Sequence, residues 1–486
     1  LVSLYIHTQP TEKIAIAVEN NQIKEFVIDR PNQPQLVDSI FVGKVSKIEK
    51  GLQAAFVDIG SEKLGFLQRK ELPAARANPT KKLESLITEG ERMIVQVTKD
   101  AYDTKGARLT ANITIADQAI VYLPFGNYIA LSKKLASNHV EEKKATIENI
   151  REEKEGAIVR TVAADLTSAE LEQIFLHLRN RWALLEKQSK QLKVPSCLYY
   201  DAPVLDRFIR KFASEGIDHI YLDDPAIATE LRERYNHLKA PITWEKQLED
   251  QLPVTIEQLM KACVHPKVEA SNGVSLYIEE TEAMTIIDVN SGGFTGRNDK
   301  ERTYLQANIY AAKEIATQVR LRNLSGIIIL DFISMRNQSD KKKVLDVLRE
   351  ALDEDPIRSE VYGFTQLGLV EMTRKRATAP HSKLISDKTE DHLTFSNMTY
   401  VYALERVLYG YLNTNVDAII IDVNPKIYKL WLQHIDLNKI KKQLHQSVYM
   451  NQTKGVTSYQ VKLAGSSSLI KDFLETNHHA IIDKVL

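Results

Sequence analysis

The chemistry this sequence offers most plainly rests on three residues. In TIIDVNSGG, Asp288 and Asn290 stand two positions apart, and because side chains alternate along a strand, both would project from one face. After an intervening helical pattern, the apolar run 327–330 ends in Asp331. Ligands gather at the carboxyl ends of strands in open α/β sheets, so two carboxylates and an amide would meet at one edge. Hard oxygen donors of this kind suit magnesium, which keeps several of its waters. The plainer alternative is strand-end residues that accept backbone amides or begin turns. In that case an ion pair with Arg297, Arg320 or Arg322 would offset the cost of a carboxylate beside apolar runs. From the residues alone, metal site and ion pair both stay open.

The elements that must position these groups alternate over residues 273–376. They run strand VSLYIEE, strand AMTIIDVNSGG, helix ERTYLQANIYAAKEIATQVRLRN, strand GIIILDFISM, helix KKKVLDVLREALDED, and then VYGFTQLGLVEMTRKR. That order predicts a sheet flanked by helices. Upstream, residues 3–30 read as three short strands, and PNQPQ at 31–35 interrupts them. Five alternating segments follow, IFVGKVSKIE, LQAAFVDIG, KLGFLQ, ERMIVQVTKD and ARLTANIT, which predict a small barrel of OB type. Beyond residue 115 come a strand GAIVRTVA and a charged helix opening at Thr167, with Glu170 at capping-box spacing. Residues 198–245 read helix (DAPVLDRFIRKFASEG), strand, helix, and would complete the sheet begun at the amino terminus. Residues 390–486 form a further α/β module, with helices at 398–412 and 428–444 and strands DAIIIDVN and SYQVKLA.

At 486 residues the chain exceeds one core, and about three domains are expected. Sixty-four basic residues balance 64 acidic ones, so no global field announces a polyanion, and any nucleic-acid reading must rest on local patches. Cys197 and Cys263 form no CxxC pair, which excludes a disulfide framework or a cysteine-rich zinc site and predicts two buried, reduced thiols. The amino terminus lacks the basic and apolar regions of a signal peptide, and no apolar run approaches the roughly 20 residues of a membrane span. A cytoplasmic location is expected. None of the 12 histidines sits in an evident catalytic pairing. A metabolic α/β enzyme using DVNSGG as a phosphate loop would have neither GxGxxG nor GxxxxGK[ST] behind it.

TIIDVNSGGFTGR, RLRNLSGIIILDFISM and FTQLGLVEMTRKR, in that order, resemble the catalytic-domain signatures of the RNase E/G family, and the resemblance runs from the amino terminus to about residue 376. It implies a magnesium-dependent endoribonuclease that cuts single-stranded RNA in processing and decay, leaving 5′-phosphate and 3′-hydroxyl ends. Asp288 and Asp331 would bind the magnesium, and Asn290 would support the attacking water or the scissile phosphate. The implied fold is an α/β assembly of five parts. These are an RNase H-like domain (1–35 with 196–272), an S1 RNA-binding domain of OB fold (36–115), a 5′-sensor (116–195), a DNase I-like catalytic domain (273–385) and a small C-terminal α/β domain (386–486).

In the S1 segment the resemblance gives Phe56 and Phe66 to base stacking and Lys105 to phosphate, which would suit single strands of any sequence. Periodicity alone puts Phe56 in the barrel core, between Ala55 and Val57. The 5′-sensor resemblance assigns Arg160 and Thr161 to a terminal phosphate, with Lys133 where the family has a further arginine. The basic run TRKRATAPHSK at 373–383 reads either as a solvated face or as a phosphate clamp. Two departures stand out. The family's acid three positions past the second ligand is Ser334, and the CxxC zinc-link is absent after Arg376. Zinc is therefore not expected, and a homodimer or homotetramer would form without it. Membership of an RNA-degradation assembly is left open. The competing reading is a non-catalytic RNA-binding protein on the same scaffold, which Ser334, the missing cysteines and the neutral charge favour. Retention of both acids and the amide favours the enzyme.

Overall fold

The computed structural model describes residues 1–486 apart from 133–134, 136, 214, 236–237, 239, 271–272, 293–299, 389–392, 413 and 477–481. The chain begins as an antiparallel meander, Val2–His7, Lys13–Glu19 and Gln22–Asp29, and Ile217–Leu222 and Ile242–Trp244 then add in parallel beside the first strand. This mixed sheet is covered on both sides. Leu4, Ile6 and Ala15 pack against Phe208, Phe212 and Leu231 on one face, while Ile14, Ile16, Phe26 and Ile28 meet Ile256, Met260 and Cys263 on the other.

Between the third and fourth of these strands in chain order lies a long insertion. Its first part is the expected barrel: Ile40–Glu49, Ala54–Asp58, Gly65–Gln68, Arg108–Thr110 and Arg92–Lys99, closed because Ile40–Glu49 also pairs with Arg92–Lys99. Val45, Val57, Leu67, Val95 and Leu109 fill it. Its second part sets the sheet of Ile129–Leu131, Gly156–Val159, Ile120–Leu123 and Ile115–Ala116 against the helix Ser168–Ser189, around Phe175 and Leu178. That helix opens with the predicted capping box, Thr167 and Glu170 each bonding the other's backbone. The strand GAIVRTVA is shorter than read: it ends at Val159, and Thr161–Asp165 is a 3-10 turn. The insertion closes where it opened, with Ser196–Tyr199 antiparallel to Ile40–Glu49 and the Asp201 amide donating to Ser39 Oγ at 3.1 Å. Cys263 is buried as expected, whereas Cys197, in this closing strand, is exposed.

The candidate site lies on a six-stranded sheet, ordered Lys267–Glu269, Ser275–Glu280, Met284–Asn290, Gly326–Asp331, Val370–Arg374, Ser359–Phe364. The helices Lys300–Leu321 and Gln338–Asp353 cover one face. Ala307, Ala311, Ala312 and Ile315 on the first and Val344 and Leu348 on the second share one core with Leu276, Ile287, Ile328 and Leu330. The alternate residues look outward, with Tyr277, Ile286 and Ile327 between 37% and 48% exposed.

The C-terminal module orders Tyr459–Gly465, Ala418–Val423, Ser447–Gln452 and Ile482–Lys484 in one sheet around Trp431. The helix expected at 428–444 is two, Pro425–His434 and Leu437–Gln443, because the Asp436 carboxylate accepts from the Asn438 and Lys439 amides and starts the second. The helix Asn397–Gly410 joins this module to the N-terminal sheet through a buried network. Arg30 pairs with Glu12 at 2.6 Å and donates to Thr399 Oγ1 at 3.1 Å, Arg406 reaches the second oxygen of Glu12, and Glu405 accepts from the Thr11 amide. The helix read over 201–216 is a π turn, Pro203–Arg207, followed by one α turn, Phe208–Phe212. Among the described residues no helix is long and apolar enough to cross a membrane.

Candidate active site

Met284–Asn290 and Gly326–Asp331 run parallel in unbroken register from Met284 opposite Ile327 to Asp288 opposite Asp331. Register partners share a face, and neighbouring strands lie about 4.8 Å apart, so the two carboxylates leave the sheet side by side at its carboxyl edge. Asn290 lies on the same face and donates from Nδ2 to Asp288 Oδ2 at 2.6 Å. Asp331 and Asn290 are exposed and Asp288 is half-exposed. The burial cost that would have called for an ion pair is therefore not incurred.

The structure also places the candidate cations elsewhere. Arg320 donates to the Lys24 carbonyl, and Arg322 is buried against Gln318 and the carbonyls of Ala262 and His265. Arg297 lies outside the described residues. Among the described residues neither aspartate is in an ion pair, and no cluster of three or more His, Cys, Asp or Glu side chains is placed to hold a metal. Two carboxylates and an amide nevertheless fit a magnesium ion, which usually takes one or two protein carboxylates and completes its shell with water and substrate phosphate.

Two devices hold this edge. Gly292 turns the chain just past Asn290 with φ +47°, where a Cβ would stand 2.6 Å from the Gly273 carbonyl oxygen. Asn308, fully buried on the helix Lys300–Leu321, accepts from the Ile333 amide at 3.0 Å and donates to the Ile333 carbonyl at 2.8 Å. That two-point clamp fixes the chain two residues past Asp331.

On the barrel, Phe56 and Phe66 are cross-strand partners whose rings meet edge to face, centroids 5.8 Å apart. Both are half-buried, while Ala55, Val57 and Leu67 are fully buried, so the two rings lie on the outer wall. The core position that periodicity gave Phe56 is thus corrected. Lys47 pairs with Phe56 on one side and Arg108 with Phe66 on the other, both exposed. Lys105 is exposed on the turn 102–105, which leads into the strand beside Phe66. In the second part of the insertion, Thr161 Oγ1 meets Ser132 Oγ at 2.9 Å. Arg160 has no side-chain partner among the described residues, and burial, then the neighbouring Arg210 guanidinium, lower its pKa. Arg160 and Thr161 line a cavity of about 630 Å³ with Arg207, Arg210, Lys211 and Arg320. Lys133 lies outside the described residues.

Residues 114–377 match the model of the Ribonuclease E/G family. Ribonuclease G of Escherichia coli K12 is 33% identical over 388 residues, 77% of this chain and 79% of that protein. The chain belongs to the Ribonuclease E/G family. Ribonuclease G of Haemophilus influenzae is 32% identical over 402 residues, covering 80% of this chain and 82% of its own. Ribonuclease E of Synechocystis sp. is 32% identical over 381 residues, 75% of this chain and 55% of that longer protein.

Within this family member the basic run 373–383 is partly taken up by the fold, while Lys375 and Lys383 stay exposed. Arg374 is buried against Asp355 at 2.7 Å, and Arg376 stacks over Tyr102 of the barrel at 4.2 Å. The Asp100 amide donates to the Ala377 carbonyl, so the run is a seam between barrel and sheet. Ser334, where the resemblance led to the expectation of an acid, is exposed. Sequence reasoning missed Lys47 and Arg108, which only strand pairing brings to the phenylalanines. It also missed Arg207, Arg210 and Lys211, although their i, i+3, i+4 spacing in DRFIRK was a usable sign of one cationic helix face.

Proposed function

We propose that this protein is an endoribonuclease that hydrolyses single-stranded RNA with magnesium held at Asp288 and Asp331. The observation that carries the reading is the register pairing of those two aspartates, with Asn290 bonded to one of them. When bound, the ion would supply a water of lowered pKa and offset charge gathering on the phosphate oxygens. Asp288 and Asp331 supply the hard donors, Asn290 orients the Asp288 carboxylate and is placed to support water or the scissile phosphate, and the clamp at Asn308 keeps Asp331 at the edge. No nucleophilic side chain is needed, and the products would carry 5′-phosphate and 3′-hydroxyl ends. In this reading the N-terminal sheet with 196–272 is RNase H-like, the barrel is an S1 domain, residues 116–195 are a 5′-sensor and the six-stranded sheet is DNase I-like. The barrel's outer stripe, Lys47, Phe56, Phe66 and Arg108 with Lys105 beside it, offers stacking faces between phosphate contacts. Arg160, half-buried beside Arg210 and without a side-chain partner among the described residues, suits a terminal 5′-phosphate. The names of the relatives, Ribonuclease G and Ribonuclease E, support this activity and a role in RNA processing.

A labelled single-stranded oligonucleotide with magnesium tests the assignment. Wild type is expected to cut it. Asp288→Ala and Asp331→Ala are each expected to bind it with unchanged affinity and to cut at least about 100-fold more slowly. Cutting that persists in both variants would place the active site elsewhere. Binding without cutting by the wild type would favour the second reading, a non-catalytic RNA-binding protein, to which the absence of a third acidic ligand among the described residues points.

A further inference from the structure

Three parallel strands of the N-terminal sheet, a different sheet from that of the paired aspartates, end together. Ile6 pairs with Leu222 and Leu222 with Trp244, so His7 and Asp223 lie one position past that row, next to Trp244 at the carboxyl edge, the position where open sheets take ligands. They line a cavity of about 220 Å³, closed from the C-terminal module by Tyr409. That volume is several times the roughly 30 Å³ share of one water and smaller than the roughly 300–1,000 Å³ of sites for whole drug-sized ligands.

The groups facing this cavity are incomplete. His7 is 7% exposed, and among the described residues its buried Nε2 has no hydrogen-bond partner, nor has the Tyr409 hydroxyl. Leaving such groups unmet costs about 1–3 kcal/mol each. Burial, and then Arg406, lower the His7 pKa to about 3, so the ring is neutral at working pH and offers one donor and one acceptor. Asp223 is committed to holding the loop, accepting from the Thr8 amide at 2.7 Å and its hydroxyl at 3.0 Å. Trp244 donates its indole N–H to the Asp223 carbonyl and leaves 47% of its surface exposed. The charges around the rim, Lys246 and Arg406 against Asp223, Glu249 and Asp250, show no positive surplus, and Arg406 is already paired with Glu12. An aromatic wall, two neutral hydrogen-bonding groups and no anion trap describe the requirements of a planar heterocycle, not of a phosphate.

We infer that this cavity holds one nucleobase, stacked on Trp244 and hydrogen-bonded at its edge by His7 Nε2 and the Tyr409 hydroxyl. The base belongs to a bound strand or to a free nucleoside. Only its assignment to the substrate strand rests on the ribonuclease reading. Affinity for an uncharged nucleoside does not, so loss of cleavage and loss of this site are separate results.

Tryptophan fluorescence reads the site directly, because Trp182 and Trp431 are buried and Trp244 is exposed. The full chain in magnesium-free buffer is titrated with each of the four ribonucleosides and, separately, with a short single-stranded oligonucleotide. Saturable quenching is expected, absent in Trp244→Phe and shifted to about two- to tenfold higher concentration in Tyr409→Phe, which removes one hydrogen bond and little else. Quenching by the oligonucleotide alone assigns the base to a strand, and quenching by nucleosides alone assigns it to a free ligand. No quenching by either probe would mean a cavity filled by water and would overturn the inference. Quenching unchanged in both Tyr409→Phe and His7→Gln would do the same, because the base would then lie outside the cavity.

Discussion

Asn308 never reaches the edge proposed to hold the metal, yet it holds both main-chain groups of Ile333, two residues beyond Asp331. Replacing it by leucine leaves an amide and a carbonyl without partners in a partly buried place. Asn308→Leu is expected to lower stability by about 1–3 kcal/mol and to reduce kcat while oligonucleotide affinity stays near wild type. Urea midpoints and single-turnover cleavage check this, and an unchanged kcat would mean that Asp331 does not depend on the clamp. Residues of this kind leave no trace in sequence, since an asparagine inside a helical pattern says nothing of a backbone 25 positions away. Asp288 and Asn290 were legible because a strand's period of two is local. Phe56 was misread because Ala54, Ala55 and Val57 are all buried, which hides the alternation that turns the ring outward.

At the scale of elements, the helix Lys300–Leu321 approaches the sheet closely because it presents alanines, with Ala307, Ala311 and Ala312 fully buried. Larger side chains there would lift the helix and the Asn308 clamp together. Ala311→Leu is expected to cost about 1–3 kcal/mol and to depress cleavage more than RNA binding. A variant as stable as wild type by denaturant unfolding would show that the interface has slack. The strands around the paired aspartates were readable because apolar runs of β-branched residues leave little choice. The strand Ser447–Gln452 and the helix Ser467–Thr476 went unread. SVYMNQ is half polar, and SSLIKDFLET is short and opens with serines that resemble a loop. The split at Asp436 depends on a cap, which periodicity does not register.

At the scale of the whole molecule, His381 sits where the N-terminal sheet, the long helix and the seam converge. It is 4% exposed, its ring lies 4.2 Å from Phe26 and its Nδ1 is 2.9 Å from the Leu321 carbonyl oxygen. Burial chiefly, with Arg374 and Lys211 adding, lowers its pKa to about 4. As pH falls below about 6.5, the unfolded chain takes up a proton that the folded one refuses, so this group removes stability down to about pH 4 and no further. His381→Gln has no proton to refuse. Relative to wild type it is therefore expected to gain stability by up to about 3 kcal/mol between pH 6.5 and 4, read from denaturant midpoints at each pH. A difference independent of pH would mean that the ring titrates alike in the folded and the unfolded chain.

The architecture at this scale was only partly legible. Closure of the barrel was foreseeable from five alternating segments, but the docking of Arg30, Glu12 and Arg406 across nearly 400 positions was not, because single charged residues carry no mark of their partners.

The zipper formed by Ser196–Tyr199 on Ile40–Glu49 brings the two mouths of the long insertion together. A detour whose exit lies beside its entrance can be swapped, lengthened or lifted out with only a short splice, leaving the parent sheet free to close behind it. The parts that would grip a strand and the edge that would cut it can therefore diverge on separate schedules within a single polypeptide.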